Sequence, residues 1–96
     1  MARKIIPLPS PASPEIGTLQ ELGAFVRAQR TQAGLRIDDA AALCGVSVEL
    51  LSDLEAGRRP VGLDKVLKVM QQMGLALLVV PRTELPRVLH RIEATP

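Results

Sequence analysis

Four glycines, Gly34, Gly45, Gly57 and Gly74, divide residues 18–74 into short stretches with apolar residues at helical spacing. A glycine just past the last periodic residue is a common helix stop, because it enters the left-handed region without a Cβ penalty. The punctuation therefore predicts four short helices. In the first, over 18–33, Thr18 and Glu21 form a capping box. Leu22, Val26 and Ala33 share its apolar face, and Arg27 and Arg30 fall elsewhere. The second covers 37–44, with Asp38 and Asp39 at the positive end of its dipole and the small Ala41 and Ala42 allowing a close neighbour. The third covers 48–56, capped by Ser47, with Leu51 and Leu54 inward. The fourth covers 63–73, with a stripe of Leu63, Val66, Leu67 and Met70 beside Lys65 and Lys68.

After Gly74 the pattern changes. Residues 75–80, "LALLVV", are a continuous apolar run, too short for a helix, and closed by Pro81. The run predicts a strand, yet no second strand is found in the chain. A lone strand leaves amides and carbonyls unpaired along both edges. The simplest remedy is antiparallel pairing with the same run of a second copy, through Leu75, Leu77, Leu78, Val79 and Val80. The alternative is an extension of the fourth helix or an irregular core segment, and Gly74 argues against extension. Residues 1–17 read as a flexible Pro-rich tail, in which Arg3 and Lys4 could touch DNA as a basic arm. Residues 82–96 read as a polar tail with room for one short helix capped by Thr83. The domain is thus 18–81.

Composition narrows the function classes. The 96 residues support one small domain, for which oligomerisation is a plausible source of stability. The formal net charge of +2 permits a nucleic-acid partner without demanding one. The single cysteine, Cys44, forbids an internal disulfide and fits a reducing, cytoplasmic setting. The start "MARKII" is cut short as a signal peptide by Pro7, Pro9, Pro11 and Pro14, and no run approaches a membrane span. Cys44 reads as a small core residue, Met70 and Met73 as core filler, and His90 as a surface residue. No phosphate loop, metal spacing or nucleophile–base pair is present, so the expectation is a non-enzyme with no cofactor and no metal.

The remaining pattern is that of a helix-turn-helix, whose second helix lies in the major groove. Ala41 is the small residue where the helices touch, Gly45 makes the turn, and Val46, Leu51 and Leu54 lock the third helix to the core. Residues 22–60, through "LGAFVRAQR", "AGL", "AAALCGVS" and "LLSDLEAGRRP", resemble the Cro/C1-type (XRE) helix-turn-helix family. The run Ser52 to Gly57 is among its commonest signatures. The following "LDKVLKVMQQMGLALLVVP" is similar to HipB-type antitoxins, in which the strand completes a dimer. The resemblance implies a mostly all-α, lambda-repressor-like four-helix fold with one C-terminal strand paired across a dimer. It implies a homodimeric repressor of its own operon on double-stranded DNA with a palindromic operator, and a HipA-like kinase toxin as a further partner. By position in the motif, Val48, Glu49, Ser52 and Asp53 face bases, and Arg36, Ser47, Arg58 and Arg59 face phosphates. The resemblance also turns Glu55 back toward an Arg of the first helix; the alternative is a solvated face.

Two departures matter. The family's Gln near the start of the second helix, which clamps a phosphate, is replaced in "Arg36-Ile37", where Ile37 cannot hydrogen-bond. The third helix carries Glu49, Asp53 and Glu55 and no Lys or Arg. Carboxylates are repelled by phosphates, which supply most of the affinity, but they can accept from the cytosine amino group, and Val48 can touch a thymine methyl. Such a reader favours cytosine-containing half-sites and leans on Arg36, Arg58, Arg59 and Lys65 for anchoring. The rival is a helix-turn-helix fold that has lost DNA and binds a protein, with Glu49 and Asp53 on a basic surface.

Overall fold

A computed structural model describes residues 4–94; Arg3 of the basic arm lies outside them. Five α-helices follow in order: α1 (Leu19–Gln32), α2 (Ile37–Cys44), α3 (Val48–Ala56), α4 (Leu63–Gln72) and, after a single 3-10 turn at Arg82–Glu84, α5 (Leu85–Ala94). The caps follow the sequence. Thr18 Oγ1 accepts from the Glu21 amide at 3.1 Å, while Glu21 Oε1 accepts from Gly17, one residue earlier than a capping box requires. Ser47 Oγ accepts from the Leu50 amide at 3.0 Å and starts α3. Gly45, at φ 69° and ψ 34°, makes the left-handed turn between α2 and α3.

The core sits where α3 meets α1 and α2 and where α2 meets α4. Leu51, Val26, Val69 and Cys44 are its largest fully buried side chains. α1 approaches α3 so closely that a Cβ at Gly23 would overlap the backbone carbonyls of Leu54 and Glu55. Two apolar faces differ in detail from the expectation. In α1 Val26 is buried and Leu22 partly buried as expected, but Ala33 is exposed as the C-cap, and Ala28 and Thr31 are buried. In α4 and its C-cap the buried series is Val66, Val69, Met70 and Met73, an i, i+3, i+4, i+7 set, while Leu63 and Leu67 are exposed.

Residues 75–80 form no strand within the single chain, which corrects that part of the reading. Leu75 donates to the Met70 carbonyl at 2.8 Å, ending α4, and among the described residues 76–80 make no backbone hydrogen bond. A strand exists only as a ladder, and this chain supplies no second rung. The C-terminal residues are less polar in effect than expected. Thr83 lies inside the 3-10 turn instead of capping a helix, and α5 gathers Leu85, Val88, Leu89 and Ile92 on one face. None of its residues is buried. At the other end, the Pro-rich arm lies along α1 in the opposite direction. Leu8 donates to Thr31 Oγ1 at 2.9 Å, and Gln32 Nε2 donates to the Leu8 carbonyl at 2.8 Å and to Ser10 Oγ at 3.2 Å.

Candidate nucleic-acid interface

α3 has one face fixed and one face open. Leu51 and Leu54 anchor it in the core, and Glu55 anchors its flank. Both oxygens of Glu55 accept from Arg30 of α1, from Nε at 2.7 Å and from Nη2 at 2.9 Å. The two side chains are only 11% and 6% exposed, and Arg30 also donates to the Leu35 carbonyl at 3.0 Å. A planar, bidentate and mostly desolvated pair of this kind sets orientation as well as contact. Gln20 Nε2 donates to the Gly57 carbonyl at 3.2 Å, so α1 also holds the far end of α3.

On the open face, Val48 and Glu49 are exposed in the first turn of α3, and Ser52 and Asp53 are half-buried one turn on. Ser47, Glu49, Asp53 and Arg59 border a depression of about 310 Å³ together with Pro60 and Val61. Of the four positions expected at bases, Glu49 and Asp53 line this depression, and Val48 and Ser52 lie beside it on α3 at helical spacing. The basic residues surround it unequally. Arg36 is exposed at the start of α2, 3.8 Å from Asp38, a distance that leaves its guanidinium largely to solvent. Arg59 is exposed beside the depression. Ile37 is partly buried against the core, which accounts for an apolar residue at a position where the family carries Gln.

Arg58 behaves differently. Its Nη2 lies 3.3 Å from Asp53 Oδ1 and donates to Ser52 Oγ at 3.0 Å. Part of the acidity read from the sequence is thus answered within the surface itself. Arg58 stays 61% exposed, while Asp53 is 15% exposed beneath it. Lys68 of α4 also reaches this region, with Nζ 3.4 Å from the Gly45 carbonyl at the turn. Burial pushes the Cys44 thiol up, against the opposing charge of Lys68, so it stays protonated and serves as core. Lys65 is exposed on α4.

A second surface lies at the opposite end of the sequence. The run 75–80, the apolar face of α5, Phe25 and Ile16 enclose an apolar cavity of about 530 Å³. Leu78 and Val79 remain 64% and 85% exposed at its edge. Leu75 packs partly against the core, and Leu77 is exposed.

Sequence reasoning missed several residues that build these surfaces. Gly23 and Gln20 were signalled by their spacing, since both lie one helical turn apart on the α1 face toward α3. Arg30 was placed away from the apolar face, and only its partner Glu55 pointed to it. The docking of Leu8 on Thr31 and Gln32 carried no local signal, because the arm contributes only the backbone groups of Leu8 to it. Among the described residues no three His, Cys, Asp or Glu side chains gather as a metal site, and no helix is long and apolar enough to cross a membrane.

Comparison with known proteins agrees with this geometry. The profile of a family described as "Helix-turn-helix domain" matches residues 21–85. An uncharacterized HTH-type transcriptional regulator, y4mF, of Sinorhizobium fredii (strain NBRC 101917 / NGR234) is 39% identical over 62 residues, spanning 65% of this chain and 82% of that protein. Two solved structures share the fold, each at 19% identity and a TM-score of 0.63 over 71% of this chain. One is described as a complex of a HipB variant with an O2 20mer, covered over 94% of its length, and the other as MDT Protein, covered over 96%.

Proposed function

The chain belongs to the helix-turn-helix domain family, and from that premise we propose that it is a sequence-specific DNA-binding transcriptional regulator. The observation that carries this reading is the split of α3. Leu51, Leu54 and the Arg30–Glu55 pair hold one side, and Val48, Glu49, Ser52 and Asp53 lie on the other, with Arg58 folded onto it, Arg59 beside it and Arg36 exposed at the start of α2. That is the arrangement a recognition helix needs: a rigid mount, a free face and cations at its rim to take phosphates. Ser47 caps the helix and presents the free α3 amides of its first turn toward a phosphate. The relative y4mF is described as a transcriptional regulator, and the HipB variant is seen with a 20mer. The pairing of Asp53 with Arg58 favours DNA over a basic protein surface, because it leaves Glu49 as the open acid of the pair on which the rival relies.

The regulator acts as a homodimer on a palindromic operator, repressing its own operon. Support for the dimer is the run 75–80, in which residues 76–80 make no backbone hydrogen bond among the described residues and the side chains of Leu77, Leu78 and Val79 are exposed. A second copy would pair the backbone and cover the apolar face together. Leu78→Pro removes one ladder donor and is expected to turn the dimer into a monomer by analytical ultracentrifugation. An unchanged dimer would move the interface elsewhere. A HipA-like kinase toxin is the further partner that the HipB likeness supports, tested by co-elution of this chain with the product of a neighbouring kinase gene.

The DNA reading itself is tested by titrating the protein against the duplex upstream of its own gene and a scrambled duplex of equal length, across a range of salt. Preferential binding to the upstream duplex, with log affinity falling linearly in log salt, is expected. Equal binding to both, or none, would sink it.

A further inference from the structure

We propose that Arg58 reads a base, and that Asp53 and Ser52 position it for that purpose; the inference rests on the DNA reading above. Sequence position alone puts Arg58 past the end of the recognition helix, where a phosphate contact is the ordinary assignment. The structure brings its charge back. Gly57, at φ 65°, turns the chain at the C-terminus of α3, and the Arg58 amide donates to the Asp53 carbonyl at 3.2 Å. From there the side chain runs back along the open face to Ser52 Oγ at 3.0 Å and Asp53 Oδ1 at 3.3 Å. Its guanidinium therefore sits over two of the four positions that face the groove.

The consequence is an exchange of roles. Asp53 is largely covered and Arg58 largely exposed, so the groove meets a cation where the sequence shows a carboxylate. Asp53 is then a positioning residue. Its charge holds the guanidinium, and the guanidinium cancels its repulsion from the phosphates. Nη2 makes both of these contacts, and among the described residues no other guanidinium nitrogen of Arg58 makes a hydrogen bond. A guanidinium offers only donors, five in a rigid plane. In the major groove the matching base edge is guanine, whose O6 and N7 are both acceptors. Cytosine offers the strand read by Arg58 an amino donor and does not match. The chemistry that Arg58 recognises is thus a guanine in each half-site, where an unpaired Asp53 would select cytosine. Tethering by Ser52 and Asp53 before DNA arrives reduces the freedom that a long arginine side chain gives up on binding. Arg36 and Arg59 have no tether of this kind on α3 and keep their phosphate roles.

The test uses the full chain and a duplex library randomised across the half-site, with bound sequences read out for the wild type, Arg58→Ala, Arg58→Lys and Asp53→Asn. The wild type is first compared on upstream and scrambled duplexes. No preference there would overturn the DNA reading and this inference with it. Given a preference, Arg58→Ala is expected to erase the guanine at one position per half-site, losing on the order of ten- to a hundredfold in discrimination there. The other positions keep their preferences. Arg58→Lys retains the charge but loses most of that discrimination, and Asp53→Asn loosens the same position only. Uniform weakening of Arg58→Ala on every sequence, with the salt slope falling by about one phosphate per protomer, would make Arg58 a backbone clamp and overturn the inference. A change of preference at a different position in Asp53→Asn would overturn it too, since Asp53 would then touch a base itself.

Discussion

α3 carries two arginine–carboxylate pairs, one at each edge, and they differ in almost everything but their chemistry. Arg30–Glu55 is bidentate and nearly enclosed, with contacts of 2.7 and 2.9 Å. Arg58–Asp53 is held through a single nitrogen at 3.3 Å, under an arginine that is mostly in solvent. The first pair joins two helices that are distant in sequence, and the second folds a turn back onto the helix it follows. Enclosure raises the energy at stake, because a charge without its partner cannot be rehydrated. Exposure lowers it, since water and salt compete for both ions. The same side-chain types therefore mount the helix on one edge and leave a movable, readable cation on the other.

The largest break in this comparison is expected from Glu55→Ala. It leaves the Arg30 guanidinium, whose side chain is 11% exposed, with the Leu35 carbonyl as its remaining partner. Loss of one member of a buried pair costs about 3 kcal/mol or more, which in a domain of this size lowers Tm by on the order of 15 °C. The loss should persist in high salt, because solvent ions do not reach the pair. A thermal melt within a few degrees of wild type would show that the pair does not hold the α1–α3 junction.

The two pairs also mark how far the sequence could be read. The helices were legible because their stops and caps are local: Gly45 and Gly57 adopt the turns that their positions require, and Ser47 and Thr18 cap as their side chains dictate. Glu55 was legible only through family resemblance, since nothing in its own helix announces Arg30, 25 residues away. The Arg58–Asp53 contact was not read at all. A residue beyond a helix stop is assigned by where its Cα lies, and a long side chain can carry its charge back along the helix. The strand over 75–80 failed for a different reason. The apolar run was real, but a strand is a property of two segments, and the sequence contains one. Val69, in contrast, was missed and Leu63 and Leu67 were wrongly placed in the stripe, because the apolar residues of α4 cover more of its surface than the core uses, while Met73 is core as read.

The smallest expected effect sharpens the comparison most. Arg58→Ala should change stability by no more than about 1 kcal/mol, the ordinary worth of an exposed pair, and Tm by only a few degrees. The direction follows from what the arginine leaves behind. Asp53 loses its partner, but water can reach the place the guanidinium vacates, so the carboxylate is rehydrated where Arg30 in Glu55→Ala could not be. Any loss should shrink as salt is added, because the wild-type pair is itself screened. Thermal melts of the wild type and the variant at low and high salt measure this directly. A loss comparable to that of Glu55→Ala would mean that Arg58 belongs to the mount of α3, and the division between a structural edge and a reading edge would fail. A small, salt-dependent loss leaves the Arg58 charge available to DNA, because a cation that the fold does not need is one that the fold can release to a base.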